Sequence, residues 1–318
     1  MVSGSNPSAA TIVRPYGKDG VKEAATLILD GQTVAIPTET VYGLAADSTN
    51  KDAVARIYAA KGRPSFNPLI VHVLDRAMAE NVAVFDELAG KLADLFWPGP
   101  LTLVLPQAPN SPVASLATAG LDTIAIRCPA HPAMRDVIAA SGKPLAAPSA
   151  NESGKISPTS AEHVLSSLEG RIPMILDAGP TEQGLESTIV AVKDGAITML
   201  RPGPVTAKML EETTGLTLSL DTSGNVTAPG QLASHYAPGK PVLLDVQGND
   251  ADAYLIGFGD MECDYNLSPT GSLTEAAAKL FDALHQANVD PAKEIHVAPI
   301  PETGLGVAIN DRLRRAAA

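Results

Sequence analysis

Apolar and polar positions follow two alternating rhythms over the first two-thirds of the chain. Short apolar runs of strand length are separated by segments with helical spacing. Residues 21–30 read as a helix, with Gly31 placed for a C-terminal cap. Residues 33–36 form a short apolar strand that runs into Pro37. Residues 52–60 read as a second helix, with Asn50 near its start and Gly62 just past its end. Residues 69–73 are strand-like. Between 86 and 96, Leu88, Leu92, Leu95 and Phe96 recur at helical spacing, and Pro98 stops the helix. Residues 101–105, 123–126 and 145–147 read as further strands. Thr159 and Glu162 have capping-box spacing at the head of a helix reaching about residue 168. Residues 172–176, 188–192 and 197–200 close the series as strands. Several strands follow one another too closely for helical crossovers. The expectation is therefore an α/β fold with an open, twisted, mixed sheet.

From about residue 212 to 239 the pattern dissolves. Thr, Ser, Gly, Asn and Pro dominate residues 213–230, which read as a linker that is mobile without ligand. Residues 231–238 carry His235, Tyr236 and Pro238 and read as a semi-rigid flap on that tether. A second unit follows, with strands at 241–246, 254–258 and 294–300. Ser272 and Glu275 form another capping-box pair opening a helix to 286, and 307–315 is a final helix. The pattern predicts a smaller, Rossmann-like α/β domain. The expected division is 11–208, a linker or lid at 209–240, and 241–318.

Composition narrows this picture. With 45% hydrophobic but only 4% aromatic residues, the core must be aliphatic and alanine-rich. No run of about 18 apolar residues occurs, so no membrane-spanning helix is expected. The first ten residues lack the basic start and apolar stretch of a secretory signal. Cys128 and Cys263 are too few for a disulfide framework or a Cys-rich zinc site, and a reducing cytoplasm is the expected compartment. A formal net charge of −12 argues against nonspecific nucleic-acid binding. Any anion must then be held where a few of the 23 basic residues converge.

Four clusters, mostly where strands end, could form such a place. The first, Pro37-Thr38-Glu39-Thr40-Val41-Tyr42-Gly43-Leu44, puts hydroxyls, a carboxylate and a phenol on a turn after a strand. The second runs from Lys61-Gly62-Arg63 through Asn67 to His72. Pro64 and Pro68 stiffen its loop, and the Lys/Arg pair suits a polyphosphate, one as a point charge and one as a fork. The third joins Thr123 and Arg127, at the two ends of a strand, to the loop Ala147-Pro148-Ser149-Ala150-Asn151 and onward to Lys155 and Ser157. A guanidinium closing an apolar strand needs an anion. Small hydroxyl and amide side chains can bond phosphate and ribose without bulk. The fourth is Glu186-Ser187-Thr188 with Leu200-Arg201-Pro202-Gly203. Lys61, Arg63, Arg127 and Arg201 together outline a polyanion pocket. No phosphate-binding glycine loop, dinucleotide fingerprint or zinc-protease motif is present, and no Ser/His/Asp or Cys/His pairing marks a nucleophile. The chemistry implied is positioning and charge stabilisation around a phosphate.

The K-x-R loop at 61–63, the S-x-N loop at 149–151 and the run P-T-E-T-V-Y-G-L at 37–44 resemble the YrdC-type L-threonylcarbamoyladenylate synthases over about residues 11–208. His235-Tyr236-Ala237-Pro238 and the extra unit after it look like the long form of that family. The resemblance implies an open twisted sheet with a positive concave face. It implies that L-threonine, bicarbonate and ATP are joined with release of pyrophosphate, with Mg²⁺ as companion of the nucleotide. The product would feed threonylcarbamoyl-adenosine synthesis on tRNA through downstream transfer proteins. Carried over by position, Thr40, His72, Arg127, Ala147 and Ser187 would hold threonine. Lys61, Arg63, Asn67, Thr123, Ser149, Asn151, Ser157, Arg201 and His235 would hold ATP, with Lys61 and Arg63 stabilising charge on the phosphates. No protein residue is assigned to metal. The linker carries no basic residue between 228 and 234, which leaves its nucleotide contact to His235.

Two other readings fit parts of the sequence. One is an RNA-binding module using the same basic face. The acidic balance and the lack of interleaved aromatics disfavour it, and tight tRNA binding by this chain alone is not expected. The other is a carbamoyl-transfer enzyme of hydrogenase maturation, whose Cys-rich modules two cysteines cannot supply.

Overall fold

The structure is a computed structural model and describes residues 10–220, 235–248, 250 and 252–318. The chain opens with β1 (Ile12–Pro15) and α1 (Lys18–Leu29), then the hairpin β2 (Val34–Pro37) and β3 (Tyr42–Asp47). Next come α2 (Lys51–Lys61), β4 (Ile70–His72), α3 (Arg76–Glu80), α4 (Glu87–Phe96), β5 (Leu101–Pro106) and β6 (Thr123–Arg127). α5 (Pro132–Ser141), β7 (Leu145–Ala146), α6 (Ala161–Leu168) and β8 (Met174–Asp177) lead to β9 (Thr188–Lys193) and β10 (Ala196–Arg201). α7 (Ala207–Thr214) and β11 (Ser219–Leu220) complete the first unit. The second unit holds β12 (Val242–Leu243), β13 (Ala253–Gly257), β14 (Tyr265–Asn266), α8 (Leu273–Val289), β15 (Glu294–Val297) and α9 (Leu305–Ala316).

The large sheet has 11 strands in the order β1-β8-β2-β3-β7-β4-β6-β5-β9-β10-β11 and mixes parallel and antiparallel pairs. The small sheet, β12-β15-β13-β14, is parallel throughout. Both findings match the fold class read from the sequence. So do several helix ends. Asn50 caps α2 by accepting the amides of Asp52 and Ala53, and Gly62 closes it in the left-handed conformation at φ 60°. Ser272 caps α8 through the amide of Glu275.

The differences have local causes. The cap of α6 is Ser160, bonded to the amide of His163, and not Thr159. The run 41–44 is strand as well as turn, because Tyr42 begins β3 directly after a tight reversal. The pattern does not dissolve at 212: α7 continues to Thr214, and Gly215 caps it. Residues 221–234, which include most of the tether and the first part of the flap, lie outside the described residues. Elements that sequence periodicity passed over are β1, α3, α5, α7, β11 and β14. Of these α5 had a readable start, His131 as cap with Pro132 in its first turn.

Two apolar clusters cover the two faces of the large sheet. One is centred on Leu44, Val71, Leu103 and Ile126, the other on Ile28, Ile36, Met134 and Leu176. A third core belongs to the second unit but does not stop there. Val41, Ile156 and Leu185 of the first unit pack with Leu280, Phe281 and Ile309 of the second. At this seam Gly184 adopts φ +67°, and an added Cβ would stand 2.5 Å from the carbonyl oxygens of Ala277 and Ala278 in α8. Only glycine tolerates both the conformation and the approach. Gly184→Ala should therefore cost about 2 kcal/mol or more, since backbone must move. A thermal melt would show it, and an unchanged midpoint would contradict this tight seam.

Candidate active site

A small cavity of about 50 Å³ lies where the ends of β2, β4, β6 and β10 meet the start of β9. Its walls include Thr38, Thr40, Arg63, His72, Arg127, Ala147, Ser149, Glu186, Ser187, Arg201, His235 and Tyr236. Parallel pairing puts His72 and Arg127 in register on adjacent strands. β5 lies antiparallel to β6 and parallel to β9, so Ser187, just before β9, arrives at the same edge.

The turn after β2 is built by Thr38, whose hydroxyl accepts the amides of Thr40 and Val41. That reversal aims Glu39 and Thr40 at the end of β6. Arg127 Nη2 pairs with Glu39 Oε1 at 2.7 Å, Nη1 donates to the Thr40 hydroxyl at 2.9 Å, and Nε donates to the Gly99 carbonyl. The anion that the sequence requires for Arg127 is thus supplied within the chain by Glu39. Burial opposes ionisation of Glu39, but Arg127 beside it and the Ala130 amide hold its carboxyl below the usual range. Beside this pair, burial and the Arg127 charge push His72 down to about 3, so its ring is neutral. His72 Nδ1 is buried without a partner among the described residues.

The helix cap at Gly62 turns Lys61 inward. Its ammonium donates to the carbonyls of Ser149 and Asn151, and its own carbonyl accepts the Ser153 amide. The K-x-R and S-x-N segments are therefore one tied structure. Burial, with Arg63 nearby, holds Lys61 well below the ordinary lysine value. Arg63 donates to the carbonyls of Asn67 and Pro68, and burial with Arg201 nearby brings it down to about 10. Asn67 is buried, and neither end of its side-chain amide has a partner among the described residues.

On the third side, Arg201 donates to the carbonyl and hydroxyl of Ser187, and that hydroxyl shares a 2.7 Å bond with Thr102. Glu186 accepts the Ser157 hydroxyl at 2.6 Å and Arg312 Nε at 2.9 Å. His235 and Tyr236 close the cavity, with ring centroids 4.1 Å apart. Their backbone is held from both units: the His235 amide donates to Arg315, the Ala237 amide to Gly154. Burial pushes His235 down to about 3, and its Nδ1 is also unpartnered among the described residues.

Of the residues singled out in the sequence, the fold brings Thr40, Arg63, His72, Arg127, Ala147, Ser149, Ser187, Arg201 and His235 to the cavity wall. Lys61, Asn67, Asn151 and Ser157 stand immediately behind it, in its bonded support. Thr123 is set apart. It shares the face of Arg127 by strand alternation but lies at the other end of β6, roughly 13 Å away at extended spacing. Sequence reasoning gave no role to Thr38, Glu186, Tyr236 or Arg312. Arg312 carried a readable signal: it falls in the apolar stripe of α9 with Ile309, Leu313 and Ala316, where a charge needs a buried partner.

The family model Sua5_yciO_yrdC, described as "Telomere recombination", matches residues 26–203, and one described as "Threonylcarbamoyl-AMP synthase, C-terminal domain" matches residues 205–318. The threonylcarbamoyl-AMP synthase of Bacillus subtilis is 41% identical over 93% of this chain and 92% of its own. That of Pyrococcus abyssi is 39% identical over 93% of both. The crystal structure of Pyrococcus abyssi Sua5 complexed with L-threonine superposes with a TM-score of 0.88 at 37% identity, covering 96% of this chain and 97% of that one. The chain belongs to the long-form Sua5 family. For a Sua5-family chain the second unit is expected, and the hydrogenase-maturation reading is set aside.

Mg²⁺ would have little protein to hold it here. Among the described residues no group of three His, Cys, Asp or Glu side chains converges. Both carboxylates at the cavity are paired with arginine. The donor set does not fit a resident cation; a Mg²⁺ would have to come bound to the nucleotide's phosphates.

The two depressed histidines of this Sua5-family site set a pH dependence. Unfolded histidine titrates near 6.5, whereas His72 and His235 hold out to about 3 in the fold. On acidification the unfolded chain takes up these protons first. Stability is thus fully present above about 6.5 and is lost as pH falls toward about 3, by about 1.4 kcal/mol per pH unit for each histidine. The lowered carboxyl of Glu39 acts in the same direction at the acid end. Thermal midpoints should fall between pH 7 and 5, and His72→Gln should flatten that slope. An identical slope in the variant would show that His72 takes up its proton in the fold as readily as in the unfolded chain.

Proposed function

We propose that this chain uses the cavity to join L-threonine, bicarbonate and ATP into threonylcarbamoyl-AMP and pyrophosphate. The synthase activity follows from its family; the residue roles are our reading. The observation that supports them is the convergence of a small hydroxyl-lined recess with the buried cations Lys61 and Arg63, which among the described residues are held by backbone carbonyls. Thr40, Ser187, Arg127 and His72 border the recess together, with Arg127 bonded to the Thr40 hydroxyl, which suits an amino acid with a hydroxyl and a carboxylate. Ala147 borders it with its backbone. Arg63 and Arg201, supported by Lys61, Asn67, Ser149, Asn151 and Ser157, suit phosphates and ribose. Thr123 would lie toward the far end of the nucleotide along the same face, and His235 over it. Buried groups of His72, Asn67, Asn151 and His235 that have no partner among the described residues are consistent with ligand contacts.

In the reaction the threonine amine adds to bicarbonate, and loss of water leaves a carbamate. A carbamate oxygen then attacks the α-phosphorus of ATP. The bond to the β-phosphate oxygen breaks and pyrophosphate leaves. The chain's residues orient the reactants and stabilise charge that grows on the phosphates. With the bound nucleotide as its source, Mg²⁺ would add charge neutralisation. The division is a catalytic unit at 11–208, a connecting flap at 209–240 and a closing unit at 241–318. The product passes to cytoplasmic proteins that transfer it to tRNA. Direct RNA binding is disfavoured by geometry, since Lys61, Arg63, Arg127 and Arg201 are all buried.

Turnover with ATP, threonine and labelled bicarbonate, read as labelled acyl-adenylate, tests the proposal. Arg63→Ala should reduce this turnover by about 2 kcal/mol or more, the scale of a lost charge-assisted contact. Wild-type turnover in a folded Arg63→Ala protein would remove Arg63 from the phosphate site. Valine has the shape of threonine without its hydroxyl. A site that hydrogen-bonds the hydroxyl should reject valine strongly, and serine by only ~1 to 3 kcal/mol. Comparable rates with valine and threonine would refute a hydroxyl-reading recess.

A further inference from the structure

Arg312 lies on α9, far along the chain from every residue assigned above, yet it is fully buried against the cavity wall. Its Nε donates to Glu186 Oε2 at 2.9 Å, and its Nη1 donates to the Pro202 carbonyl at 2.8 Å and to Asp311 Oδ2 at 2.9 Å. Nη2 reaches the Glu186 carbonyl at 3.5 Å. The guanidinium carbon lies 5.7 Å from the centre of the Tyr236 ring. One side chain of the second unit thus grips the segments before Ser187 and after Arg201, and underlies the flap.

Glu186 is the receiving end. Its other oxygen accepts the Ser157 hydroxyl at 2.6 Å, so Arg312, Glu186 and Ser157 form a chain of bonds from one unit to the loop of the other. Burial would raise the Glu186 carboxyl. Arg312 and Arg201 reverse this, with hydrogen bonds from Ser157 and Arg312 assisting, and it stays below its usual range. An ionised carboxylate can only accept, so Ser157 must donate its proton to Glu186 and turn its lone pairs outward. A neutral Glu186 would free the hydroxyl to rotate.

We propose that Arg312 is a positioning residue for the synthesis reaction: the second unit, through the Arg312–Glu186 pair, sets the orientation of Ser157 and the spacing of Ser187 and Arg201. This rests on the functional reading above. It gives the second unit a task in catalysis in addition to stability. It also accounts for an arginine in the apolar stripe of α9. A methionine there would fill the volume more simply.

The test compares Arg312→Met, Arg312→Lys and Arg314→Met in the full chain. Arg314 sits two residues on and pairs with exposed Glu302, so its variant removes a cation from the same helix away from the cavity. Circular dichroism and a melt establish folding, and the double variant Glu186→Gln with Arg312→Met, which leaves no unpaired charge, serves if Arg312→Met alone does not fold. We expect Arg312→Met to raise the KM for ATP ~10-fold or more, as for a lost charge-assisted contact, with a smaller change in kcat. Arg312→Lys should recover part of that loss, and Arg314→Met should behave as wild type. Hydrogen exchange provides a readout independent of activity. The amides of 153–157, 187–188 and 235–237 should exchange faster in the Arg312→Met protein. A wild type that makes no adenylate would overturn the functional reading, and the exchange result would still decide the role of Arg312. A folded Arg312→Met or double-variant protein with wild-type exchange in those segments and, where the wild type is active, wild-type KM for ATP would overturn the inference. So would an equal loss in Arg314→Met.

Discussion

The cost of taking cations out of water governs this molecule. Lys61, Arg63, Arg127, Arg201 and Arg312 are all buried, in a chain whose formal net charge is −12. A buried charge persists only where dipoles or counter-charges replace its hydration. Two carboxylates, Glu39 and Glu186, answer Arg127 and Arg312 directly. The others are held mainly by carbonyl oxygens: Ser149 and Asn151 for Lys61, Asn67 and Pro68 for Arg63, Ser187 for Arg201. Burial outweighs these carbonyl contacts at Lys61 and Arg63, and their charged forms are disfavoured. A polyanion entering the cavity would relieve that imbalance. The same bonds that keep the cations in place fix the loops around them, so the binding surface and its scaffold are made of the same groups.

Much of this was legible in the sequence because it is local. A guanidinium at the end of an apolar strand, a Lys/Arg pair between a helix cap and two prolines, and hydroxyls at a strand start are readable without coordinates. Their convergence is not, since it depends on the order β7-β4-β6-β5-β9, in which β6 and β5 are consecutive in the chain but the other neighbours are not. Arg127 shows the limit. Its need for an anion was evident, but its partner, Glu39, lies 88 residues earlier and was visible only as part of a polar turn. Lys61 shows a different one. A lysine in a K-x-R loop suggests a phosphate contact, whereas its length lets it pass behind the wall and tie down the neighbouring loop. The reading of 213–220 as unstructured failed for lack of length. α7 ends within it at Gly215, and the two residues of β11 are too few to show a period.

The second unit is harder to read because its bond to the first is carried by single residues spread over α8, α9 and the flap. Val41, Ile156 and Leu185 are apolar residues next to the polar clusters, and nothing in their own segments says what covers them. The structure answers that with Phe281, Leu280 and Ile309. The apolar contact explains why the units adhere. It does not explain specificity of orientation, since apolar burial is non-directional. Direction comes from the hydrogen-bonded pairs set into the seam. Arg312 meets Glu186, and His285 meets the Ser157 carbonyl with its ring stacked on His163 at 3.8 Å.

That seam bears on how substrates enter. At about 50 Å³ the enclosed recess has room for a few water-sized groups, and it opens to solvent, where the rest of a nucleotide would extend. The strand ends cannot move without breaking sheet pairing, and the loops at 61–68 and 149–153 are tied to each other through Lys61. His235 and Tyr236 are the part of the wall that comes from the segment joining the two units. Tyr236 sits at φ 65°, a conformation uncommon for a residue with a side chain, and its buried hydroxyl has no partner among the described residues. Among the described residues this segment is tied by the His235 amide to Arg315 and the Ala237 amide to Gly154, and the Tyr236 ring packs against Phe281 and Arg312. Because one bond runs to each unit, the placement of this wall and the registration of the two units beside Arg312 are fixed together.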